Sequence, residues 1–207
     1  MLKNSQFADR ISELLGSLFK SLPLHPTTYT LLSVVLAAAG LVSWVQGPVS
    51  WVMGLEFRVL GFALFLLALF IDAIDGAVAR AKNLTSKQGA FLDGISDRLV
   101  EFFIVLALFF SFANDIQMQL ALIVVLFFGT CMTAFVKAYA EHSQLLNHES
   151  AAKMPGLLER AERTVLLMII ISMIVFGNEV YVVYLVWVVA LLAFATFVQR
   201  VSLIAKT

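Results

Sequence analysis

Residues Ile71–Arg98 read IDAIDGAVARAKNLTSKQGAFLDGISDR. This stretch sets four aspartates, Asp72, Asp75, Asp93 and Asp97, beside the ends of two apolar runs. Asp72 and Asp75 are spaced i,i+3, and Asp93 and Asp97 i,i+4, so each pair shares one face of a helix. A short turn around Asn83–Ser86 lets the two helices run antiparallel and the four carboxylates converge. Carboxylates gathered near lipid repel one another and are costly to ionise, so positive charge belongs among them. Oxygen donors without His or Cys favour a hard cation such as Mg2+, Mn2+ or Ca2+. Four carboxylates are enough to bridge two ions, an arrangement suited to displacement at phosphorus. Gly76, Ala77, Ala79 and Gly89 leave space for close approach of a substrate to the backbone. Arg80 lies about two turns after Asp72 on nearly the same face, where it is placed to hold a phosphate oxygen. Two other readings compete: ion pairs with Arg80 and Arg98 that serve structure alone, and the coupling site of a cation transporter.

Outward from this stretch the chain is apolar. Of its 207 residues 61% are hydrophobic, well above the roughly 45–50% of soluble domains, so lipid is the expected solvent. The formal net charge is zero, which gives no general attraction to nucleic acid. The single cysteine, Cys131, excludes a disulfide framework within the chain. No cleavable signal peptide is expected, because the N-terminal segment is amphipathic and lacks a continuous apolar region. Six apolar runs approach the ~20 residues of a spanning helix. They cover Thr28–Gln46, Val59–Asp75, Ile95–Phe112, Ile116–Tyr139, Thr164–Phe176 and Val180–Gln199. The second and third extend as helices past the hydrocarbon near the aspartates, and the short fifth extends toward Glu159. The fold class is therefore all-α integral membrane, with six transmembrane helices.

Ahead of the spans, residues 1–22 repeat Phe7, Ile11, Leu14, Leu15, Leu18 and Phe19 at helical spacing, with Lys3, Arg10, Glu13 and Lys20 between them. This pattern predicts an interfacial amphipathic helix, which Leu22–Pro26 then breaks. Residues 23–207 form the membrane domain. Alternating the loops across six spans puts thirteen of the fourteen Lys and Arg on one side and leaves Arg58 alone on the other. By the positive-inside rule both termini are cytoplasmic, as is the loop Glu141–Arg163, in a multi-pass protein of the plasma membrane.

The pattern Asp72-x2-Asp75-Gly76-x2-Ala79-Arg80-x8-Gly89-x3-Asp93-x3-Asp97 resembles the signature of the CDP-alcohol phosphatidyltransferases at every position. The six-span plan and the N-terminal amphipathic helix are similar to this family as well. The resemblance implies that Asp72, Asp75, Asp93 and Asp97 bind two Mg2+ or Mn2+ ions. It implies that Asp97 is also the general base on the acceptor hydroxyl. Gly76, Arg80 and Ser86 would contact the CDP moiety, within a CDP-lipid site that also takes in Asp72, Ala79 and Gly89. Thr27, Thr28, Tyr29 and Thr30 resemble the segment that closes over the nucleotide. The competing role for Thr27 or Thr28 is a helix N-cap. Members of the family look dimeric, which implies a homodimer.

The remaining basic residues bear on the acceptor. Lys137 ends the fourth span, Arg160 and Arg163 begin the fifth, and Arg200 ends the sixth. Cations at three helix ends are able to converge on an anionic group. Val136–Glu141, Pro155–Arg163 and Val198–Arg200 resemble the phosphatidylinositol-phosphate and archaetidylinositol-phosphate synthases, in which the matching residues bind the acceptor phosphate. The competing role is positive-inside anchoring. The expected reaction moves a diacylglycerol- or archaeol-phosphate group from CDP-lipid to inositol-1-phosphate and releases CMP. Glycerol-3-phosphate or serine as acceptor, CDP-inositol as donor, and a cation-coupled transporter are the alternatives. His25, His142 and His148 are scattered in loops. Trp44, Trp51 and Trp187 suit interfaces or packing, and Ala37–Gly40, Gly61 and Ala63 suit close helix contacts.

Overall fold

The computed structural model describes residues 6–19, 25–47, 54–177 and 179–206. Its elements are helices: α1 Gln6–Phe19, α2 Pro26–Gln46, α3 Gly54–Ala81, α4 Lys87–Ser111, α5 Ile116–Val124, α6 Thr133–His142, α7 His148–Ala152, α8 Arg160–Val175 and α9 Val182–Ile204. A π-helix, Val125–Met132, joins α5 to α6, and a short 3-10 helix, Glu179–Tyr181, precedes α9. No strand occurs among the described residues. The chain divides into two compact units, Met1–Ala107 and Leu108–Thr207. The predicted break at Leu22–Pro26 lies mostly outside the described residues, as do Trp51 and the side chains of Phe7 and Ile11.

Among the described residues, four helical stretches are long and apolar enough to cross a membrane: Pro26–Gln46, Gly54–Ala81, Ile116–His142 and Val182–Ile204. The other two predicted runs are also helical. Of these, α4 carries the polar Asp93–Arg98 stretch within it, and α8 has 16 residues. At 28 residues α3 is roughly 42 Å long, against a hydrocarbon core of ~30 Å. About two turns are left for polar ends, and Asp72, Asp75 and Arg80 occupy the C-terminal turns.

Local chemistry sets the helix ends. Pro26 stands at the first position of α2, where its fixed φ suits a helix start. The N-cap is therefore His25 and neither Thr27 nor Thr28: His25 Nδ1 accepts the Thr27 amide at 3.3 Å. At the end of α3, Asn83 adopts φ +54°, and the Leu84 amide donates back to the Ala79 carbonyl at 2.9 Å. This is a Schellman-type stop. Ser86 then caps α4, its Oγ accepting the Gly89 amide at 3.0 Å. The fifth run does begin at Glu159, through a reciprocal capping box with Glu162.

In the first unit, α2 and α3 approach closely at Gly40 and Gly61. A Cβ on Gly61 would lie 2.9 Å from the Gly40 carbonyl oxygen, and one on Gly40 3.1 Å from the Phe65 ring. Ala37 is buried at this contact's side of α2. Ala63 is exposed and takes no such part, because a two-residue step from Gly61 turns it about 200° around the helix. Trp44 is almost fully buried, a packing residue under the Arg58 guanidinium at 6.0 Å. The helix α1 lies against α3: Leu15 and Phe19 pack on the buried cluster Tyr29, Ile74 and Val78, and a Cβ on Gly16 would come within 2.9 Å of the Ala77 carbonyl. Leu14 and Leu18 remain exposed.

In the second unit, Phe128 of the π-helix meets Phe194 and Phe197 of α9, with ring centroids 4.9 and 5.1 Å apart. The segment between α7 and α8 is tied to α9 as well. The Leu158 amide donates to Thr196 Oγ1 at 2.9 Å and the Leu157 amide to Gln199 Oε1 at 3.0 Å.

Candidate active site

Two helices of the first unit deliver the aspartates. Asp72 and Asp75 lie on α3, and Asp93 and Asp97 on α4. Asp72, Asp75 and Asp93 come together, each offering a carboxylate oxygen within 4.8 Å of the others. Asp75 is buried, whereas Asp72 and Asp93 are both reachable from solvent. Asp97 stands outside this group of three, and its Oδ2 accepts from Arg98 Nη1 at 3.4 Å. Arg98 is held in turn by the Gly94 carbonyl at 2.9 Å.

Thr30 of α2 adds what spacing did not reveal. Its Oγ1 donates to Asp75 Oδ2 at 2.7 Å, which holds the rotamer of a buried carboxylate of the cluster. Hydrogen bonds of this kind orient metal ligands. Three convergent carboxylates, all oxygen donors, one held from behind, fit a hard divalent cation.

The remaining nucleotide-site candidates separate by role. The Arg80 guanidinium folds back over Gly76, where a Cβ would lie 3.4 Å from Arg80 Nη1. These two residues, spaced i,i+4, form one surface beside Asp75. Ser86 and Gly89 are linked as the cap of α4, and a Cβ at Gly89 would crowd Ser86 Oγ at 3.1 Å. Thr27 Oγ1 lies 3.0 Å from His25 Nδ1. Tyr29 is buried in the α1–α3 cluster with Ile74 and Val78. Thr28 and Ala79 are helical, in the first turn of α2 and the last turn of α3.

The acceptor candidates all lie in the second unit. Arg163 and Arg200 are 3% and 6% exposed, and Lys137 and Arg160 are half-buried. Arg200 Nη1 donates to the Thr133 carbonyl at 2.9 Å, and its Nε to the Pro155 carbonyl at 3.4 Å. Arg163 acts on Arg200 as a nearby like charge and Glu159 as an opposite one. Buried cations of this kind exceed what membrane anchoring needs, since anchoring side chains reach for water.

Sequence reasoning passed over Glu101, which is 2% exposed one turn beyond Asp97 on α4. The signal was the four-residue spacing Asp93, Asp97, Glu101. It also passed over the π-helix, for which no residue pattern was available.

Membrane-length helices and a carboxylate triad held from behind define a membrane enzyme site that suits a divalent cation. Residues 23–198 match the CDP-alcohol phosphatidyltransferase family, and the chain belongs to it. It is thus a phosphotransferase of phospholipid biosynthesis. The archaetidylinositol phosphate synthase of Aeropyrum pernix is 27% identical over 201 residues, 97% of this chain and 93% of that one. The phosphatidylinositol phosphate synthase of Streptomyces avermitilis is 30% identical, over 87% of this chain and 72% of that one. Among solved structures, the Mycobacterium tuberculosis phosphatidylinositol phosphate synthase with CDP-DAG bound superposes with a TM-score of 0.75 at 23% identity, covering 94% of each chain. The same enzyme with manganese and citrate gives 0.76 at 22% identity, over 94% of this chain and 89% of that one.

Proposed function

We propose that this protein transfers a lipid-phosphate group from a CDP-lipid to inositol-1-phosphate and releases CMP. The observation that carries the reaction is the convergence of Asp72, Asp75 and Asp93 with Thr30 bonded behind Asp75. The relatives named as inositol-phosphate lipid synthases support the acceptor. So do the two buried arginines, Arg163 and Arg200.

In this reading Asp72, Asp75, Asp93 and Asp97 hold two Mg2+ or Mn2+ ions. Bound there, such ions neutralise the diphosphate and polarise its phosphorus. Arg80, over Gly76, grips a phosphate oxygen and stabilises the charge that develops on the departing CMP. Ser86, Gly89, Ala79 and the Thr27–Thr30 segment border the nucleotide. Asp97 accepts the proton of the acceptor hydroxyl, whose oxygen forms the new bond to the β-phosphorus as the bond to CMP breaks. Arg98, beside Asp97, steers the carboxylate. Lys137, Arg160, Arg163 and Arg200 bind the acceptor phosphate. The enzyme works as a homodimer, with six spans and its site at the cytoplasmic face of the plasma membrane.

The test is CMP release by purified protein with CDP-diacylglycerol or CDP-archaeol and Mg2+ or Mn2+. Inositol-1-phosphate, glycerol-3-phosphate, serine and free inositol are supplied separately. Release only with inositol-1-phosphate supports the reading. Release only with another acceptor keeps the reaction and overturns the acceptor.

A further inference from the structure

We infer that Gly129, in the π-helix of the second unit, is a positioning residue that seats Arg163 for the anionic acceptor. This rests on the reading that Arg163 binds the acceptor's phosphate. Residues Val125–Met132 are wound as a π-helix, and the Thr133 amide bonds back five residues to the Phe128 carbonyl. Such turns are wider than α-turns and recur at functional sites. Gly129 stands at the middle of this stretch. The stem of Arg163 lies directly across it: a Cβ there would be 3.1 Å from Arg163 Cδ and 3.2 Å from Arg163 Nε. The Ala193 Cβ, on α9, would be 3.2 Å away on another side. Any side chain at 129 therefore displaces the arginine, the neighbouring helix, or both.

The same π-helical turn reaches the second buried arginine. The Thr133 hydroxyl donates to the Gly129 carbonyl, and the Thr133 carbonyl accepts from Arg200 Nη1 at 2.9 Å. One stretch of backbone thus sets the stem of Arg163 and a donor of Arg200. Two like charges held in a buried place gain most from a bound anion, and their spacing decides how well one fits. A glycine at 129 lets Arg163 lie flat against the backbone. A methyl group there would press on Cδ and Nε, so the side chain or α9 must give by a few tenths of an ångström.

The experiment compares wild type, Gly129→Ala and the double variant Gly129→Ala/Ala193→Gly as purified full chains with CDP-lipid and Mn2+. The double variant relieves the contact with α9 but leaves the contact with Arg163. Gly129→Ala is expected to raise KM for inositol-1-phosphate about tenfold, with kcat and KM for CDP-lipid held within about twofold. The double variant is expected to regain thermal stability and keep the raised acceptor KM. It also serves where the single variant does not fold. An unchanged acceptor KM in Gly129→Ala, or its restoration by Ala193→Gly, overturns the inference while wild-type turnover of inositol-1-phosphate keeps the acceptor assignment. Wild-type turnover of no phosphorylated acceptor overturns both.

Discussion

Thr30 shows how much one hydroxyl decides. Its bond to Asp75 crosses from α2 to α3 at 2.7 Å, and it ties the carboxylate that lies deepest in the cluster. Outer hydrogen bonds to metal ligands are commonly worth about 10–100-fold in affinity or activity. Thr30→Val keeps the shape and removes the donor. We expect it to raise the Mn2+ concentration for half-maximal turnover by about that factor, while Thr30→Ser restores it. Metal removal by EDTA should abolish CMP release, and added Mg2+ or Mn2+ should return it. Asp97 calls for a different readout, because it stands apart from the three grouped carboxylates. Asp97→Asn should lower kcat by roughly 10²–10⁴-fold, the range of a lost general base. Titration of Mn2+ into the variant should still show binding at Asp72, Asp75 and Asp93. Loss of all binding would instead make Asp97 chiefly a ligand.

Elements place these residues through contacts that leave little slack. The two helices α2 and α3 meet backbone to backbone at Gly40 and Gly61, and the same pair of helices carries Thr30 and Asp75 to one another. Gly61→Leu should therefore separate them. The cost expected of such overpacking is about 1–3 kcal/mol, seen as a lower melting temperature in detergent. The Mn2+ requirement should rise with it, since the Thr30 bond depends on the spacing. The capping box of α8 allows a smaller test. Glu162→Ala removes the acceptor of the Glu159 amide and should cost about 0.5–1.5 kcal/mol, the net worth of one hydrogen bond, with little change in turnover. Helix ends of this kind were readable: Glu159 as the start of the fifth run, and the turn near Asn83–Ser86. The cap on α2 was misjudged because Pro26 moves the helix start back by two or three residues, so His25 takes the position sought at Thr27 or Thr28.

For the whole molecule the number of crossings is the open physical quantity, and it has a direct measurement. Among the described residues, four helical stretches meet the length and apolarity of a span. If α8 crosses as well, the loop after α6 shares a side with the C-terminus; if it does not, the two lie on opposite sides. In a Cys131→Ser background, a membrane-impermeant maleimide should label Ser143→Cys and Lys206→Cys from the cytoplasmic side alone. Labelling of the two from opposite faces would remove α8 from the spans. The sequence by itself determined the all-helical, lipid-solvated class, six helical runs, and a phosphotransferase of this family. The first two follow from apolar run length, and the third from the likeness of the Asp72–Asp97 pattern to the family signature; all are local to single stretches of chain. Only the tertiary structure decided that three of four aspartates form the tight group, that Thr30 stands behind Asp75, and that Arg163 lies over Gly129. These depend on which faces of different helices meet. A π-turn also shifts the phase of every later residue, so the 3.6-residue period by which a helix face is read no longer holds across it.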